Sequence, residues 1–113
     1  MTANELKTYC EQVLNLAGWY VFRVNAGHSG RWNVKQAPEG TPDIIGYDPD
    51  GRFAGLEIKV GRDTLGEPQE TRLQHIANTR YGIAAVISSQ EDVERLLKVR
   101  QEAAELKAII KGE

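Results

Sequence analysis

Two carboxylates and one lysine lie close enough in this chain to act on a common substrate. Asp43 stands in Thr41-Pro42-Asp43-Ile44-Ile45-Gly46, and Glu57 and Lys59 stand in Leu56-Glu57-Ile58-Lys59-Val60. A pair of carboxylates, joined by a backbone carbonyl and waters, is an ordinary way to hold a hard divalent cation such as magnesium. A cation so held polarises a phosphoryl oxygen and generates hydroxide, while an adjacent ammonium orients the water or offsets developing charge. The pattern suits phosphodiester hydrolysis. A Pro-Asp followed by an acid-x-Lys is also compatible with an edge hairpin carrying solvated charges, the ordinary state of Glu and Lys on a protein surface. The elements around the three residues must decide between the two.

In Leu56–Val60 apolar and charged residues alternate. This is the pattern of a half-buried strand, with Glu57 and Lys59 on one face and Ile58 on the other. Asp48-Pro49-Asp50-Gly51 is a turn sequence between the two apolar runs, so a hairpin returns Glu57 to the level of Asp43. Ahead of it, Leu6, Cys10, Val13, Leu14 and Ala17 recur at helical spacing, predicting a helix from Ala3 to Leu16 with Asn4 or Thr2 as cap and Gly18 as stop. Glu5 lies in the first turn of that helix, where a carboxylate complements the helix dipole. Trp19 to Asn25 reads as a strand. The loop after it, Ala26 to Trp32, holds His28 and Arg31 as candidate phosphate contacts and Trp32, which either stacks on a base or packs on the core.

Beyond the hairpin, Pro68 opens a helix running to about Arg80, with Leu73, Ile76 and Ala77 as its stripe and Gln69 in its first turn. Ile83–Ile87 is a short apolar run expected to be a buried strand. Ser89 and Asp92 cap a last helix of about twenty residues, longer than the small sheet needs. The chain is expected to be one domain over residues 1–113, with 98–113 as a helical extension that packs on another subunit or frays.

Composition excludes several classes. Of 113 residues, 41% are apolar and 27% charged, as in ordinary globular proteins. No apolar run approaches the ~20 residues that span a bilayer, and Met-Thr-Ala-Asn-Glu has no leader character, so a cytoplasmic protein without membrane contact is expected. The single Cys10 excludes an internal disulfide and a thiolate metal site. A net charge of −2 argues against a non-specific nucleic-acid coat. Yet Trp19 to Pro38 holds Arg23, Arg31 and Lys35 and no acid, a local patch that can meet phosphate.

The Pro42-Asp43 and Glu57-Ile58-Lys59 pair resembles the PD-(D/E)xK nuclease superfamily. The order helix, strand, strand, strand, helix, strand, helix matches its restriction-endonuclease-like core, an α/β fold with a small mixed sheet flanked by helices. Within it the chain looks most like the virus-type replication and repair nuclease domain, VRR-NUC, in a stand-alone phage-like form. The resemblance covers residues 4–97 and is carried by Glu5, Arg23-x-Asn25-x-Gly27, Gly40-x-Pro42-Asp43, Glu57-Ile58-Lys59 and Gln69. Gly66-Glu67 stands where such domains often have a serine and a proline.

The resemblance implies a magnesium- or manganese-dependent DNA endonuclease. Asp43, Glu57 and the carbonyl of Ile58 would bind the metal and Lys59 would assist the water. Glu5 would complete the site, and Gln69 would orient Lys59 or touch DNA. Arg23, Asn25, His28, Arg31 and Lys35 would contact the nucleic acid. A chain of this size is expected to act on branched DNA as a homodimer, in the manner of a Holliday-junction resolvase. The alternatives are a DNA-binding module that does not cut, a nuclease of linear, flap or single-stranded DNA, and an interaction protein assembled through its terminal helix.

Overall fold

The computed structural model describes residues 1–24 and 37–111. Its elements are α1 (Ala3–Leu16), β1 (Tyr20–Arg23), β2 (Ile44–Tyr47), β3 (Phe53–Ile58), α2 (Glu67–Asn78), β4 (Ile83–Ile87) and α3 (Gln90–Lys111), in the expected order. The strands form one mixed sheet in the order β1-β2-β3-β4. The first two pairings are antiparallel, and β4 lies parallel to β3. A parallel neighbour requires a crossover, which α2 supplies. Helices α1 and α3 pack together on one face of the sheet and α2 on the other.

Helix α1 starts at a reciprocal cap. Thr2 Oγ1 accepts from Glu5 N (3.1 Å) and Glu5 Oε1 accepts from Thr2 N (3.0 Å), satisfying two N–H groups that the helix cannot. Leu6, Cys10 and Leu14 repeat every four residues and are fully buried against Val21, Ile44, Leu56 and Ile87 of the sheet and Val93 of α3. Burial pushes the Cys10 thiol up to about 12, so it serves as a small apolar side chain.

Strand β1 is shorter than its sequence suggests, because Trp19 turns into the core and its N–H donates to Leu14 O (3.1 Å). Asn15 then runs alongside β1, donating to Val21 O (3.0 Å) and accepting from Val21 N (2.9 Å). Gly46 lies opposite Val21. A Cβ there would stand 1.9 Å from Tyr20 O.

The expectation of a half-buried β3 is corrected. All five residues from Ala54 to Ile58 are buried, because β3 is central and lies between α1 and α2. Ala54, Leu56 and Ile58 face α1, whereas α2 presses on the opposite face at Gly55, where a Cβ would lie 2.6 Å from Ile76 Cδ1. Helix α2 ends at Asn78, short of Arg80, since Thr79 is extended and its N–H and hydroxyl both donate to Ile76 O.

The hairpin turn does more than reverse the chain. Asp48 is buried, accepts at Oδ1 from the N–H groups of Asp50 (3.0 Å) and Arg52 (2.8 Å), and pairs at Oδ2 with Arg100 of α3 (3.2 Å). The ion pair ties α3 to the turn. Among the described residues no helix is long and apolar enough to cross a membrane.

Candidate active site

The Ile44↔Leu56 pairing puts Asp43 level with Glu57, at the end of the hairpin away from its turn. Asp43 is held by its backbone and by its side chain. Its carbonyl accepts from Val24 N (2.8 Å), and Oδ2 accepts from Ile58 N (2.8 Å). Gly40 sets the approach to it. With φ +85 it adopts a conformation other residues avoid, and a Cβ there would stand 2.5 Å from the Pro68 carbonyl oxygen. The segment entering β2 therefore lies against the start of α2. That contact brings Gln69 to the site, where Nε2 donates to Glu57 Oε1 (3.3 Å) while Oε1 accepts from Gly66 N (2.9 Å). Gln69 thus caps its own helix, which Gly66 has no side chain to do, and holds Glu57. Its partner is Glu57 rather than Lys59.

Glu57 is 1% exposed, and its Oε2 is buried with no hydrogen-bond partner. Its carboxyl is raised to about 8, by burial first and then by the adjacent Asp43 carboxylate, with Lys59 and Lys7 pulling the other way. A buried carboxylate with an unused oxygen demands a proton or a cation. Among the described residues no three His, Cys, Asp or Glu side chains converge. The groups here that could hold a cation are therefore the two carboxylates, Asp43 and Glu57. That set is all oxygen, which fits a hard cation and not zinc.

Lys59 continues the β3 ladder through its N–H to Ile87 O (3.0 Å) and by alternation shares the face of Glu57. Its ammonium lies 3.5 Å from Asp63 Oδ2, on a side chain 13% exposed.

The other candidates are placed less uniformly. Glu5 is exposed and committed to the α1 cap, which holds its carboxyl below the usual range. The α1 residue that reaches Asp43 is Lys7, with Nζ 3.7 Å from Oδ1, a contact sequence reasoning missed. Its signal is spacing: Asn4 and Lys7 are three apart, and so border the apolar stripe on one edge. Arg23, level with Ile44 at the end of β1, donates to Asn4 Oδ1. Asn25, His28, Arg31 and Lys35 lie outside the described residues.

A solved structure described as "VRR_NUC domain" aligns with a TM-score of 0.60 over 87% of this chain and 97% of its own, at 21% identity. The chain therefore has the fold of that domain. No protein-family model matches the sequence, and no curated protein does.

Proposed function

We propose that this protein is a magnesium- or manganese-dependent DNA endonuclease that hydrolyses phosphodiester bonds at Asp43, Glu57 and Lys59. The observation that carries this reading is the pair of level carboxylates, one of them holding a buried oxygen without a partner. Asp43, Glu57 and the Ile58 carbonyl would hold the cation, which supplies a Lewis acid and a water of lowered pKa. Gln69 fixes the rotamer of Glu57 through its hydrogen bond, and Lys7 offsets the charge of Asp43. The Lys59 ammonium exchanges Asp63 for the attacking water or the scissile phosphate. Glu5 joins the site only by releasing Thr2; Glu5→Gln, which can keep the cap, tests that role by cleavage alone. Arg23, with Asn25, His28, Arg31 and Lys35, contacts the DNA backbone in this reading.

The finer form of the proposal is a homodimer acting on branched DNA as a Holliday-junction resolvase does, in a bacterial or phage-infected cytoplasm. One site cuts one strand, so two symmetric cuts call for a two-fold pair.

The test is cleavage of a labelled four-way junction beside linear duplex, flap and single-stranded DNA, with magnesium, manganese or chelator. Symmetric metal-dependent nicks in the junction, lost in Asp43→Ala and Lys59→Ala proteins that still fold, are expected. Cleavage of the other substrates alone removes the resolvase and keeps the nuclease. Binding without any product in either metal leaves a non-cutting DNA-binding module.

A further inference from the structure

We infer that the open face of β1 and β2 is the surface on which a second copy of this chain docks. The inference supplies the partner for the dimeric nuclease proposed above and rests on that reading for its purpose, though not for its geometry.

Tyr20, Tyr47 and Phe53 stand opposite one another on three adjacent strands. Phe22 follows on the same face of β1. Tyr20 stacks on Tyr47 (centroids 5.3 Å apart, 19° between planes) and meets Phe22 edge-on (6.1 Å, 65°). Across an open hollow of about 610 Å³ from Phe53 stands Tyr81. These five rings are 45–59% exposed. Helix α2 packs on β3 and β4 of this face and leaves the β1 side of it uncovered.

The area suits a copy of the chain. Each aromatic residue offers about 200 Å² of surface, so five half-exposed rings present roughly 500 Å², and two copies roughly 1,000 Å². That is at the threshold of a specific interface before any rim is added.

The charges at the border argue against a nucleic acid on this face. Arg52 is shared between Asp48 (3.9 Å) and Asp50 (3.7 Å), and Arg80 lies over the Tyr81 ring at 5.2 Å. A mixed, paired rim matches a second copy of itself and offers a polyanion little. Pairing along the free edge of β1 is obstructed, because Asn15 occupies the outward N–H and carbonyl of Val21. The copy therefore docks face to face.

Sedimentation equilibrium of the full chain, without DNA or metal, tests this. The wild type is expected to be a dimer. Tyr47→Arg and Phe53→Asp, made singly, are expected to weaken it at least ~30-fold with unchanged circular dichroism, since both side chains are half exposed. Val99→Asp, on the exposed side of α3, leaves the dimer intact. A wild-type monomer overturns the inference, as does a dimer that survives both sheet-face variants or one dissociated by Val99→Asp. A monomer whose sheet-face variants lose DNA affinity overturns it in favour of base stacking. A dimer that cuts no DNA leaves this interface standing and removes the nuclease reading; a cutting monomer does the reverse.

Discussion

Replacing Glu57 by glutamine tests the central electrostatic argument without altering the shape of the site. The amide resembles the protonated carboxyl, which burial and Asp43 favour. In the metal-free protein below pH 4.5 the wild-type carboxyl is protonated in both folded and unfolded chains, and no penalty arises. As pH rises from 4.5 to about 8, the unfolded chain releases the proton and the folded chain keeps it. The folded state then binds more protons, so stability falls with pH and the loss is complete once the folded carboxyl also ionises. At about 1.4 kcal/mol per pH unit the full interval is worth up to about 5 kcal/mol. Relaxation around the buried charge brings the expected loss to about 3 kcal/mol. The Glu57→Gln protein has nothing to titrate there.

Urea unfolding with chelator at pH 4 and pH 9 measures the difference, and subtracting the variant from wild type cancels the groups that do not interact with Glu57. We expect the variant to gain about 3 kcal/mol on wild type between the two pH values, about 2 M in the urea midpoint, while losing cleavage. A pH-independent difference refutes the argument. Saturating magnesium should also restore wild-type stability at pH 9, because a cation bound only by the folded state stabilises it.

Three further outcomes follow from particular contacts. Gly46→Ala should unfold the domain or cost more than about 3 kcal/mol, since the new methyl meets the Tyr20 carbonyl; thermal melts read this. Gln69→Ala frees Glu57 Oε1 and Gly66 N, and should cost about 1–2 kcal/mol and lower kcat more than it raises KM, unless Gln69 serves only as a cap. Arg100→Leu leaves Asp48 buried without its partner across the fold and should cost about 3 kcal/mol, which chemical denaturation measures; an unchanged midpoint would show the pair to be idle.

Much of the fold was legible because it is written locally. The four-residue repeat of Leu6, Cys10 and Leu14 marks α1, and the Asp48–Gly51 turn sets the hairpin length that makes Asp43 and Glu57 level. Other features had no local signature. Asp48 looks like a turn residue, and its partner Arg100 is 52 positions away on α3. Spacing puts Lys7 on the border of the apolar stripe of α1, but that its ammonium meets Asp43 depends on which part of the sheet lies beneath the helix.

The sequence by itself determined which residue types could do the chemistry, which sides of each strand they occupy, and which strands neighbour one another in the hairpin. Periodicity and turn composition act over a few residues, and so they are readable in order along the chain. Only the tertiary structure decided how deeply the site is buried. Alternation in Leu56–Val60 looks the same whether one face or both are covered. The α2 crossover, seated by Gly40 on Pro68 and by Gly55 on Ile76, closes the second face and takes Glu57 out of water. The same crossover leaves the β1 side uncovered. Both the raised carboxyl and the open aromatic face follow from where one helix lies.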